Sequence, residues 1–167
     1  MRTCLLLLLL LPGLTGQANE ARFVATPYEE PRVVFDFYFD DPRKIHAALY
    51  WIRSLINPLM EEPYGFAPEM MDLVVVIHGT EIVTVARHNY EKYRNAVDRM
   101  RYYASLGVRF RVCGLAAQDF GYQVGDFQDF IEVVPSAITE LAHWQQQGYA
   151  LIRPIVMEKR FAIEEIR

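Results

Sequence analysis

The run Leu73-Val74-Val75-Val76-Ile77 constrains the fold of this chain more than any other segment. Five consecutive apolar residues leave no polar side, so a strand made from them is covered on both faces. Such a strand belongs inside a parallel sheet with helices above and below it. The flanking sequence supplies the other parts. Arg32–Phe39 is partly alternating, β-branched and aromatic, and reads as a first strand. Val108–Cys113, Ile131–Val134 and Tyr149–Arg153 read as the third, fourth and fifth.

Helices fall between these strands. Asp41 is an N-cap with Pro42 at the first helical position, and Ile45, Ala48, Leu49, Ile52 and Ile56 follow with helical spacing. Asn57-Pro58 is expected to end that helix, and the Pro- and Gly-containing residues 61–69 form a loop. A second helix spans about Asn89–Leu106, with Tyr93, Val97, Met100 and Ala104 on one face and Gly107 closing it. A short helix is expected from Leu115. Pro135-Ser136 opens a last helix with Ile138, Leu141, Ala142 and Gln145 facing inward, ended by Gly148. The polar residues 19–31 read as a poorly ordered lead-in, and the tail Ile155–Arg167 has no assigned structure. The expected fold is α/β: a three-layer α/β/α sandwich with a five-stranded, mainly parallel sheet and right-handed crossovers, in one domain over residues 19–167.

Residues 1–18 read as a secretory signal peptide. Arg2 gives the positive start, the Leu5–Leu11 run the apolar core, and Gly16 and Ala18 the small residues for cleavage after Ala18. The run is too short to span a bilayer, so no stable membrane insertion is expected, and the predicted location is secreted, in the periplasm. The chain has 17 basic and 21 acidic residues, a net charge of −4, and cleavage would remove one further positive charge. With no basic block or face, nucleic acid is excluded as a partner. The 52% apolar and 13% aromatic content excludes a disordered chain.

In parallel sheets the working residues stand at the carboxyl ends of strands. Two reactive side chains fall there: His78 after the second strand and Cys113 at the end of the third. Of the two cysteines, Cys4 lies in the leader, so the mature chain keeps one thiol without an intramolecular partner. Either it is reactive or it is a buried strand residue. Alternation places Arg109, Arg111 and Cys113 on one face, where the arginines either serve the thiol or form a solvent-facing ladder. Gly114 permits close approach of a substrate to the backbone. His78 reads as a base or hydrogen-bond partner for Cys113, or as a loop histidine bonded to backbone. Glu81, after the Gly79 turn, reads as a surface carboxylate, and His46 and His143 as surface groups. His78 and His88 match no metal-ligand spacing, so no metal is expected. The tyrosines Tyr90, Tyr93, Tyr102 and Tyr103 ring one helix and suggest core packing with part of a subunit interface. Phosphate loop, dinucleotide fingerprint and nucleophile-elbow serine are all missing.

Three segments in order carry a family resemblance: Val74–Gly79, Gly107–Cys113, and Val133–Leu141 leading to Gln147–Pro154. Over roughly residues 72–154 the chain resembles the DsrE/DsrF-like family of sulfur-relay proteins. The resemblance implies a parallel α/β/α sandwich assembled into small homo-oligomers. It further implies that Cys113 is the catalytic residue, carrying sulfane sulfur as a persulfide, with the His78-Gly79 loop nearby. His78, Gly79, Arg109, Arg111 and Gly114 are then the substrate-binding residues, no cofactor is needed, and the partners are a sulfur donor or acceptor protein. Two features depart from the family. Gly114-Leu115-Ala116-Ala117 offers no side-chain donor beside the thiol, and the leader would place the chain outside the cytoplasm. The alternative expectation is a non-catalytic oligomeric module that binds a small anion or a partner protein.

Overall fold

The structure, a computed structural model, describes residues 20–167; the leader read over residues 1–18, with Cys4, lies outside the described residues. Five strands, β1 (Arg32–Phe37), β2 (Asp72–Ile77), β3 (Arg109–Cys113), β4 (Ile131–Val134) and β5 (Ala150–Ile152), form one sheet in the order β4-β3-β2-β1-β5. Every pairing is parallel. The central strand is β2, and Val74 to Ile77 are fully buried within it, as the apolar run requires.

Side-chain alternation divides the sheet into two faces. Val33, Phe35, Phe37, Leu73, Val75, Ile77, Phe110 and Val112 join the larger core with α1 (Ile45–Met60) and α2 (Tyr90–Ser105). Val34, Val74, Val76 and Cys113 face the other way, toward α4 (Ala137–Gln146). The short α3 (Gly114–Asp119) continues directly from β3, and a last short helix, α5 (Ile163–Ile166), lies in the tail. Together these are the three layers of an α/β/α sandwich. No helix among the described residues is long and apolar enough to cross a membrane.

Two helices differ from their expected form. Asn57-Pro58 does not end α1, which runs through Pro58 to Met60. A proline near a helix end removes one hydrogen bond, and the burial of Leu59 in the core offsets that loss. The inner face of α4 is Ala137, Leu141 and Trp144, while Ile138 is 68% exposed and Ala142 and Gln145 are also exposed. Trp144 sets this rotation. Its ring lies against Tyr149 at 4.8 Å between centroids, and the guanidinium carbons of Arg109 and Arg111 stand 4.4 and 5.0 Å from it. An i, i+4, i+7 stripe through Trp144 therefore faces the sheet, leaving Ile138 outside.

The rotated face is testable by urea unfolding. Trp144→Ala should lower stability by about 3–5 kcal/mol. Ile138→Ala should change it by no more than about 0.5 kcal/mol. The reverse ranking would restore the expected face.

Candidate functional site

The chain runs outward from β1 to β4 and returns to place β5 on the other side of β1, so the strand order reverses between β1 and β5. Crevices at the carboxyl ends of strands beside such a reversal are where open parallel sheets bind ligands. Here the connections leaving β1 and β2 are joined by Glu81. Its carboxylate is fully buried and accepts hydrogen bonds from the backbone N–H groups of Phe39 (3.0 Å), His78 (3.2 Å) and Gly79 (2.9 Å). The sequence expectation of a surface carboxylate is thus corrected: converging loops supply three donors that make burial of the acid tolerable. Burial pushes the Glu81 carboxyl above its ordinary value of 4.5, opposed by these backbone donors.

Gly79 completes the junction. A Cβ at this position would stand 2.4 Å from the Phe39 nitrogen and 2.6 Å from its carbonyl oxygen, so only glycine fits. Thr80 fastens the same residue, its backbone N–H and its hydroxyl donating to the Phe39 carbonyl at 2.8 and 2.9 Å.

His78 is held from two sides. Its Nε2 lies 2.7 Å from Oδ1 of Asp36, and its ring stacks on Tyr38 at 4.8 Å between centroids. The side chains of Asp36 and His78 are only 10% and 14% exposed, whereas Arg153, whose Nε is 3.4 Å from the other Asp36 oxygen, is mostly in solvent. Beside this pair opens a cleft of about 260 Å³, whose wall includes Tyr38, His78, Ala116, Phe120 and the acids Asp40 and Asp119. A larger cleft of about 520 Å³ lies at the opposite, amino end of the sheet, between Glu69–Asp72 and Ala104–Gly107, and has neither a histidine nor a cysteine in its wall. The carboxyl-end cleft is the better candidate because His78 lines it where the chain leaves β1, β2 and β3, although Cys113 is not in its wall.

Cys113 ends β3 on the α4 side and is 6% exposed, packed in the cluster with Val34, Val74, Val76 and Ala137. Ile77 pairs with Val112 across β2 and β3, so His78 and Cys113 occupy the next position of the ladder and share a face. The structure therefore brings these two predicted site residues to adjacent strand ends, although no hydrogen bond joins them among the described residues. Gly114 also allows a close approach, but an internal one: its Cβ would stand 2.8 Å from the Val134 carbonyl oxygen, which seats α3 against the end of β4. The space in front of Gly114 is taken by protein.

Arg109 and Arg111 share the α4 face with Cys113, as alternation predicts, but are engaged elsewhere. Arg109 pairs with Asp72 and bonds the Tyr149 hydroxyl. Arg111 bonds Glu140 (2.7 Å) and Glu132 (2.9 Å), and Glu140 also accepts from the Trp144 indole at 2.9 Å. Of these, Arg111–Glu140 ties β3 to α4, and both guanidinium groups lie against Trp144 of that helix. His88 lies against Tyr122, away from His78, and no group of three potential metal ligands occurs among the described residues. Sequence reasoning passed over Asp36 and Tyr38. Asp36 had a visible signal, being an acid inside an otherwise apolar strand.

A family model described as the DsrE/DsrF-like family matches residues 39–154. Among solved structures, the chain is similar to the protein of unknown function MTH1491 from Methanobacterium thermoautotrophicum, with a TM-score of 0.60 and 23% sequence identity. The match covers 75% of this chain and 100% of that one, and shows a shared fold. No curated protein matches the sequence.

Glu81→Ala should lower stability by about 3 kcal/mol or more, because three buried N–H groups lose their acceptor. The raised carboxyl also fixes a sign. A folded-state pKa above the unfolded one gives stability that is present below the ordinary glutamate range and is lost as pH rises through the folded-state value. Urea titrations across that range should show this decline in the wild type and its absence in Glu81→Gln.

Proposed function

The chain belongs to the DsrE/DsrF-like family, which is associated with sulfur relay, and on that premise we propose that it carries sulfane sulfur as a persulfide on Cys113. One observation carries this reading: the cysteine stands at the carboxyl end of β3, in ladder register with a histidine that is itself held by a carboxylate. A thiol beside a base whose second ring nitrogen is anchored has the parts of an activated sulfur nucleophile. On loading, the Cys113 thiolate attacks the outer sulfur of a donor persulfide, the donor S–S bond breaks, and the donor leaves as a thiolate. On delivery, an acceptor thiolate attacks the outer sulfur of the Cys113 persulfide and frees the Cys113 thiolate. Neither step changes the total oxidation level, and neither calls for a second cysteine. We further propose that the protein is exported to the periplasm by its leader and works as a small homo-oligomer alongside a donor or acceptor protein.

The burial of Cys113 favours a second reading, a non-catalytic oligomeric module that binds a small anion or a partner protein in the cleft beside His78, Gly114 being closed off by the end of β4. Intact mass separates the two. After polysulfide treatment, wild-type protein should gain sulfur in multiples of one atom, reversibly with reductant, and Cys113→Ser should gain none. A wild type that takes up no sulfur, with Cys113 also blind to alkylating reagents, would leave the binding module.

A further inference from the structure

We infer that Asp36 and His78 form a proton-handling dyad for sulfur exchange at Cys113, and that the cleft beside them takes a small uncharged hydropersulfide in preference to an anion such as thiosulfate. The inference rests on the persulfide reading and adds to it a proton path, a positioning residue and a class of donor.

The geometry is that of a base with its orienter. Asp36 Oδ1 holds His78 Nε2 at 2.7 Å, and stacking on Tyr38 fixes the ring plane. Nδ1 has no hydrogen-bond partner among the described residues, and the ring walls the cleft. A carboxylate on one ring nitrogen sets the tautomer and leaves the other as the acceptor. Asp36, His78 and Cys113 come from β1, from the end of β2, and from β3, three neighbouring strands, and stand on the same face at the carboxyl edge. Contacts between such groups are often loose without substrate and tighten in the complex.

The charges around the cleft select the donor. Lys44 bonds Asp40 at 2.6 Å, and that bond holds the Asp40 carboxyl below its ordinary value. Arg153 is paired with Asp36, and Glu81 faces the backbone of His78. Asp119, on α3, has no cationic partner among the described residues. Arg109 and Arg111 are committed to carboxylates beside α4. An anionic donor therefore meets no free cation and one unpaired acid, while the rings of Tyr38 and Phe120 suit an uncharged ligand.

The exchange balances without an oxidant. His78 takes the Cys113 proton, the thiolate attacks the outer sulfur of R–S–SH, and the new S–S bond forms as the old one breaks. The departing R–S⁻ takes the proton back from His78. Asp36 keeps its charge throughout and stabilises the transient imidazolium.

Two rates test this on the full chain, each against pH: loading of Cys113 by an alkyl hydropersulfide that carries no other ionisable group or by thiosulfate, followed by intact mass, and alkylation of Cys113 by iodoacetamide. Wild type should load faster from the hydropersulfide. His78→Gln should load about 100-fold more slowly, and Asp36→Asn, which keeps shape but loses charge, about tenfold more slowly. Both variants should also move the alkylation–pH curve, which a purely structural role would not do in variants whose thermal unfolding matches wild type. Loading and alkylation in both variants indistinguishable from wild type would overturn the dyad, as would a shifted curve found only in variants that have lost the fold. Faster loading from thiosulfate would overturn the donor class. A wild type that never loads but whose alkylation curve moves in both variants would overturn the persulfide reading and the donor class, and leave the dyad acting on the thiol.

Discussion

The Glu81 carboxylate reaches the backbone of three residues on two connections, and the arrangement of the carboxyl edge depends on it. Phe39 follows β1 and His78 and Gly79 follow β2, so a single buried acid fixes how the two strands leave the sheet. His78 can then stack on Tyr38 and reach back to Asp36 because its own backbone has nowhere else to go. The absence of a side chain at Gly79 belongs to the same constraint, since the Phe39 backbone occupies that space. A buried carboxylate is costly without partners, and here every donor that stabilises it is also a group that must be positioned. Site geometry and local stability are one set of hydrogen bonds.

Farther from the carboxyl edge, the same face of the sheet uses charge differently. Arg109 and Arg111 lie where alternation puts them, on the same side as Cys113, and each is neutralised by a carboxylate and covered by Trp144. Their work is to hold α4 against β3. Because Glu140 binds both Arg111 and the Trp144 indole, the helix cannot roll without breaking a charge-assisted bond. The positive charge nearest the thiol in sequence is thereby removed from the chemistry, and the electrostatics of the cleft are left to acids and to His78.

Much of the fold was legible because burial on both faces writes itself into composition. The central apolar run of β2 follows from composition alone, β4 has the expected bounds although Glu132 interrupts its apolar residues, and the order of strands and helices gives the parallel sheet. The positions of His78 and Cys113 at strand ends were legible for the same reason. What was not legible depends on three-dimensional convergence. Glu81 looks like any acid after a glycine turn until the β1 connection arrives from 42 residues away to supply a donor. The inner face of α4 was misread because hydropathy favoured Ile138, while the structure chose the face on which Trp144 can cover two arginines. Asp36 lay between these cases. A lone acid among the buried residues of such a strand demands a partner, but the sequence does not say which.

Burial of the thiol and exposure of the cleft reflect a division of labour along one ladder position. Cys113 sits among valines, where a thiol is inert until a neighbour takes its proton and room opens at the start of α3. His78, one strand over, faces the cleft and is wired to Asp36. Ala116 belongs to both places: it lines the cleft and packs against the cluster that holds the thiol. A small displacement of α3 at Ala116 would therefore open the valine cluster to the cleft without disturbing the Glu81 junction, which lies on the β1 and β2 connections. On the proposed persulfide reading, the sulfur would thus be shielded from chance oxidants and reached only by what the cleft admits, with selectivity in the loops that Glu81 fixes and the sulfur chemistry in the strand that they overlook.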